Sequence, residues 1–198
     1  HDEKSGSGGI LIACCISIAY EETDVEEILK KALRFIPADC EYARVVRAVM
    51  QYHQENPDHW EQCFRYVLEN WGYDRYPGNC HIIPNAAVII LALLYGKGDY
   101  DRTLNIGTMC GWDTDCNVGN IAAIIGARGG TAAISYEKWL SPIQALMICS
   151  GTLGSRNMQD NAQITDLLLR PADNITGHNQ PTPLHSPHPQ PHAPKPYE

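Results

Sequence analysis

The stretch TDVEEILKKALRFI, from Thr23 to Ile36, decides the fold class. Its apolar residues Val25, Ile28, Leu29, Ala32, Leu33 and Ile36 recur at three- and four-residue steps, which is one face of a helix with 3.6 residues per turn. Thr23 and Glu26 match the capping box, the hydroxyl reaching the amide three residues on while the carboxylate reaches back. The same period continues on both sides. After Pro37, Asp39 stands in place to cap a helix whose face is Tyr42, Val45, Val46, Val49, Met50 and His53, stopped by Asn56-Pro57-Asp58. Trp60 to Trp71 carries Phe64, Val67, Leu68 and Trp71 on one face. It leads into the turn-rich Gly72 to Asn79, whose tyrosines can order the loop. Upstream, GGILIACCISIAY, from Gly8 to Tyr20, is apolar nearly all round and reads as a helix buried among other helices.

Downstream, Pro84 fits the first turn of a helix through Asn85 to Tyr95, closed by Gly96 and Gly98. Asp99 to Cys110 forms a further short helix. Gly111 and Trp112 then lead into Asp113 and a helix rich in small residues, including Ala122, Ala123, Gly126 and Ala127. No alternating strand pattern stands out, and six or more helices on short loops predict an all-α, compact bundle of packed helices over residues 1–170. Eight of the thirteen prolines and four of the eight histidines fall in residues 171–198, so that segment is expected to be a disordered Pro/His-rich tail. Its His178, His185, His188 and His192 receive no functional assignment.

A chain of 198 residues that is 44% hydrophobic can bury one sizeable core. A net charge of -8 without a basic stripe argues against nucleic acid and against anionic membrane surfaces as partners. The longest apolar run, Ala86 to Tyr95, falls well short of the roughly 20 residues that span a bilayer. The eight cysteines lack CxxC spacing and sit mostly among apolar residues, as buried reduced thiols would. His1-Asp2-Glu3-Lys4 has no initiator Met and no leader-like basic and apolar regions, so the expectation is a processed or partial sequence with the cytoplasm as its compartment.

The residues with chemistry are in GWDTDC, Gly111 to Cys116. Within a regular helix, two carboxylates two positions apart point about 200° away from each other. At a helix start the first of them is still non-helical, so Asp113 and Asp115 can turn toward one point, and paired carboxylates are hard donors suited to Mg²⁺, Mn²⁺ or Ca²⁺. The small residues that follow are expected to let neighbouring helices close in and leave this acidic start deep inside, where an uncompensated pair calls for a cation. The same spacing also has an explanation without metal, because Asp at an N-cap and in a first turn is favoured by amide capping and the helix dipole. Spacing alone leaves both readings open.

GWDTDCNVGNIAAIIGA, from Gly111 to Ala127, resembles the second acidic motif of the ADP-ribosylglycohydrolase family, with Gly126-Ala127 at its distal Gly-Ala. The resemblance runs upstream through His81 to Ala86 and Leu93 to Tyr100 to the glycine-rich Gly6 to Gly9 and His1, and downstream to about Leu169. It implies the family's all-α fold and a metal-dependent hydrolase of ADP-ribosyl or related N- and O-glycosidic bonds. It further implies Asp113 and Asp115 as ligands in a site of two Mg²⁺ or Mn²⁺ ions, with Cys116 beside them, and His1, Gly8 and Gly9 on the substrate side. The implied partner is an ADP-ribosylated protein or an ADP-ribose-like small molecule.

Three departures qualify the match. Cys116 stands where many members have a Thr that contacts metal, and a thiol is a poor ligand for Mg²⁺. Val118 and Ala122 replace the usual Ala and Gly. The family's earlier Thr/Ser-Asp-Asp motif is missing. The sequence contains no Asp-Asp pair, and Thr23-Asp24 and Thr165-Asp166 read as helix caps. The chain therefore resembles the family's C-terminal portion, with the N-terminal half as a possible separate partner. A non-catalytic helical module of the same fold, binding ADP-ribose or structural, is the alternative. A zinc or redox site built on Cys110 and Cys116 fits no common spacing.

Overall fold

A computed structural model describes residues 3–78, 80–148, 151 and 157–176. The chain falls into two compact units, His1–Ile134 and Ser135–Glu198. The first unit contains helices α1 (Glu3–Ile18), α2 (Val25–Ala32), α3 (Glu41–Glu55), α4 (Trp60–Trp71), α5 (Ile82–Tyr95), α6 (Tyr100–Met109) and α7 (Thr114–Gly129). The all-α class expected from the periodicity is what is found.

α5 is the core. Every residue from Ile83 to Tyr95 is buried, because α1, α3, α4, α6 and α7 all pack around it. A helix so enclosed has no polar face to keep. Its one strongly polar interior residue, Asn85, therefore needs internal partners. α2 and α3 bury the predicted stripes, including Ile28, Leu29, Val45, Val46 and Val49.

The predicted caps shift by a residue. Asp24, not Thr23, caps α2, its carboxylate accepting from the amides of Glu26 at 2.8 Å and Glu27 at 3.2 Å. The Thr23 carbonyl instead accepts from Arg128. Cys40, not Asp39, precedes α3, with its sulfur 3.4 Å from the Ala43 amide. An aspartate can hold two amides and so outcompetes the hydroxyl beside it.

α1 is not an interior helix. Leu11, Cys15 and Ala19 are buried, while Gly9, Ile10, Ala13 and Ser17 are exposed, so only one face meets the bundle. Gly8 is tightly packed, since a Cβ there would lie 2.5 Å from the Ile82 side chain and 2.9 Å from Tyr42. The close approach expected at α7 is provided by its neighbour. A Cβ on Gly107 of α6 would sit 2.7 Å from Ile121, whereas Gly119 of α7 faces open space.

In the second unit, a π-turn over Tyr136–Leu140 and a 3-10 turn over Ser141–Ile143 precede an antiparallel pair, β1 (Leu146–Ile148) and β2 (Met158–Asp160), which the sequence had not suggested. Each strand is three residues long, too short to show alternation. α8 (Asn161–Thr176) carries Pro171 in its interior, so the helix continues six residues beyond 170, into the segment expected to be tail. Thr165-Asp166 lies inside this helix and not at its start; the Thr165 hydroxyl donates back to the Asn161 carbonyl. The rest of the expected tail, 177–198, lies outside the described residues. No described helix is long and apolar enough to cross a membrane.

Candidate metal centre

The loop between α6 and α7 is bent by two left-handed residues, Gly111 (φ 70°) and Asp113 (φ 41°, ψ 50°). Gly adopts this region freely, and Asp is among the few other residues that tolerate it. The conformation has a chemical consequence. An N-cap residue is ordinarily extended, which aims its side chain at the amides of the first turn. Asp24 and Asp99 do this, the latter accepting from the Arg102 amide at 2.6 Å. Asp113 is rotated away, and its carboxylate accepts no capping hydrogen bond from the backbone amides of α7. The amide-capping explanation of this aspartate therefore fails, while the helix dipole still favours Asp115 in the first turn.

The freed carboxylate points to its own cluster. Ligand atoms of Asp113, Asp115 and Cys116 all lie within 4.8 Å of one another, and they form the one such group of acidic, thiol or imidazole side chains among the described residues. Asp113 is half-buried, and Asp115 and Cys116 are exposed. The expected deep burial is thus corrected: α7 buries Asn117, Ile121, Ile124 and Ile125, and its first turn opens on a rim. Desolvation therefore does not argue for a cation here.

Residues that the sequence reading passed over hold the cluster in place. Asn85 of α5 donates through Nδ2 to Asp113 Oδ2 and accepts at Oδ1 from the Tyr73 hydroxyl. The Tyr73 ring packs against Trp112 with centroids 4.6 Å apart, and Trp112 meets Phe64 of α4 edge-on at 5.3 Å. Burial, then the charge of Asp113, pushes the Tyr73 hydroxyl up to about 12, which keeps it a donor. Asn117 donates to the Trp112 carbonyl at 2.6 Å, fixing the loop from the other side. Tyr76 stacks on His81 at 4.5 Å and donates to Glu41 at 3.0 Å, so the tyrosines do order the loop before α5. A polar residue inside an otherwise apolar helix was the available signal for Asn85.

The thiols fall into two groups. Burial pushes Cys15, Cys63 and Cys110 up to about 12, and Cys110 is enclosed near Cys63, so the idea of a site on Cys110 and Cys116 is not supported. Cys80 and Cys116 are exposed, against the expectation of burial. A hydrogen bond to Asp113, then the Asp113 and Asp115 charges, raises the Cys116 thiol; desolvation, then Asp113, raises that of Cys80.

A groove of about 520 Å³ borders the cluster, lined by Gly8, Gly9, Tyr42, Cys80, Asn85, Cys116 and Asn117 among others. It brings Gly8 and Gly9 to the same opening as Cys116. Gly8 serves packing there, and Gly9 leaves the wall open. His1 lies outside the described residues.

Fold and site together define an all-α protein with a carboxylate-and-thiol cluster at a helix start beside a groove. The ADP-ribosylglycohydrolase family model matches residues 1–173, and the chain belongs to this family of glycosidic-bond hydrolases. No curated protein and no solved structure matches the chain.

Proposed function

We propose that the chain supplies one acidic half of the centre of a metal-dependent hydrolase, acting on ADP-ribosyl or related N- or O-glycosidic bonds. The observation that carries this is Asp113: a left-handed helix-start residue whose carboxylate caps nothing and converges with Asp115. Two carboxylates with a common focus fit a divalent cation, Mg²⁺ or Mn²⁺ in the reading the family resemblance supports. When bound, such a cation orients ribose hydroxyls and lowers the pKa of water for attack at an oxocarbenium-like anomeric carbon.

The chain's own residues have separate roles. Asp113 and Asp115 provide the anionic donors, and Asn85, itself anchored by Tyr73, fixes the Asp113 carboxylate. The groove along Gly9 is where an ADP-ribose-like ligand or an ADP-ribosylated protein would approach. Since the sequence has no Asp-Asp pair, the remaining carboxylates of a binuclear centre would come from another polypeptide segment, such as the family's N-terminal half. A reducing cytoplasmic setting suits exposed Cys80 and Cys116.

Calorimetric titration of Mg²⁺ and Mn²⁺ into wild type, Asp113→Asn and Asp115→Asn tests the metal role. Asn also tolerates the left-handed conformation at position 113, so the first variant changes charge without backbone strain. Binding that both variants abolish is expected, as is Asp113-dependent turnover of ADP-ribosyl-arginine or ADP-ribosyl-serine once the other half is supplied. Binding indifferent to both substitutions overturns the reading. ADP-ribose binding without turnover would favour the non-catalytic module, which Cys116 and the missing Asp-Asp motif make the second reading.

A further inference from the structure

The donor set adds to its two carboxylates a sulfur, which a cation that takes only oxygen would leave unused. Cys116 is exposed, its ligand atom lies within 4.8 Å of the carboxylates of Asp113 and Asp115, and no disulfide engages it. A second, independent feature lies on the same groove. Asn117 is fully buried, and its Oδ1 has no hydrogen-bond partner. Its orientation is fixed, because the Trp112 carbonyl requires the Nδ2 donor at 2.6 Å. A buried amide oxygen left without a donor is an uncommon liability, and a ligand at the site would relieve it.

We infer that this site selects a thiophilic divalent cation of the Zn²⁺ class over Mg²⁺, with Cys116 sulfur, Asp113 and Asp115 as its anionic donors and Asn117 Oδ1 turned to a cation-bound water. The inference rests on the reading of Asp113 and Asp115 as metal ligands. Mg²⁺ demands near-octahedral oxygen coordination and gains little from sulfur, whereas Zn²⁺ accepts sulfur and carboxylate oxygen in a four-coordinate shell. Forming the metal–sulfur bond releases the thiol proton to solvent and involves no electron transfer.

Co²⁺ provides a readout independent of activity, because thiolate ligation produces a sulfur-to-cobalt absorption band in the near ultraviolet. The full chain, Cys116→Ser, Cys116→Thr, Cys80→Ser and Asp113→Asn would be titrated with Co²⁺ by absorbance, and with Zn²⁺ and Mg²⁺ by calorimetry. Expected are a band in wild type and Cys80→Ser that both Cys116 variants lose, and a Zn²⁺ preference that falls on the order of 100-fold in Cys116→Thr. Histidines of the 178–192 segment contribute equally to every variant, so they cancel in the comparison.

Co²⁺ binding that depends on Asp113 but shows no band, or a band lost in Cys80→Ser and kept in Cys116→Ser, overturns the assignment of Cys116 and leaves the metal-dependent hydrolase intact. Absence of any Asp113-dependent cation binding overturns both. A thiolate band without hydrolysis in the assembled enzyme defeats only the hydrolase.

Discussion

Asn85→Ala tests whether the buried amide positions the Asp113 carboxylate. The substitution removes the Nδ2 donor to Asp113 and the Oδ1 acceptor of the Tyr73 hydroxyl together. A hydrogen bond to a charged group is worth about 1.5–3 kcal/mol, and the low end applies because half-buried Asp113 can recruit water. Leaving the Tyr73 hydroxyl without its acceptor adds about 1 kcal/mol or more, for a total of roughly 2–4 kcal/mol. For a unit of this size that lowers the melting temperature by roughly 10 °C in thermal unfolding followed by circular dichroism. Tyr73→Phe alone should cost about 1 kcal/mol. The double variant should be less damaging than the sum of the two by about 0.5–3 kcal/mol, because both act on one chain of hydrogen bonds. Divalent-cation affinity should fall on the order of 10–100-fold, as when other groups that orient a ligand are removed. An Asn85→Ala melting temperature within about 2 °C of wild type, or strict additivity with Tyr73→Phe, refutes the network.

Two further outcomes follow from packing and charge. Gly96→Ala would place a Cβ 1.9 Å from the Oγ1 of fully buried Thr103 and 2.9 Å from the Ala92 carbonyl. It should destabilise by about 3 kcal/mol or more, and Gly96→Ala/Thr103→Ala should recover part of that loss in chemical denaturation. His53 is held below its ordinary value by burial, opposed by Glu26 and reinforced by Lys97. Below an unfolded-state pKa of about 6.5 the unfolded chain takes up a proton that the folded chain resists, so stability is present above that pH and falls as pH drops toward the lower folded value. Urea midpoints measured across this window should decline with acid in wild type and flatten in His53→Phe, which keeps a ring against Tyr95; parallel profiles would exclude His53 as the cause.

Helical periodicity was legible wherever one face is buried and the other wet, as in α2 and α3, because burial there is a one-dimensional pattern. It failed where neighbours decide. α1 reads as apolar all round, yet only its Gly8, Leu11 and Cys15 side is buried in the bundle. Whether an apolar face is covered depends on which elements pack on it, and the helix's own sequence does not carry that information. The caps of α2 and α3 slipped by one position for a local reason, since adjacent polar residues compete for the same amides and geometry chooses between them. Pro171 marked a compositional boundary that the α8 backbone does not respect.

The site divides in the same way. Asp113, Asp115 and Cys116 are close in sequence, so a helix start could suggest their convergence before any fold was known. Tyr73 and Asn85 reach Asp113 only because α5 runs through the centre of the bundle and the turn after α4 folds back against Trp112. Spacing could not decide between a capping aspartate and a ligand, because both place Asp at a helix start; the left-handed backbone at Asp113 removes the amide-capping reading, and the ligand role is what we propose. That conformation is disfavoured for most residues with a Cβ, and the carboxylate forgoes the amide hydrogen bonds taken by Asp24 and Asp99. A helix start that is more strained and less capped than its neighbours, yet held by an amide from the buried core, is organised around something other than helix stability.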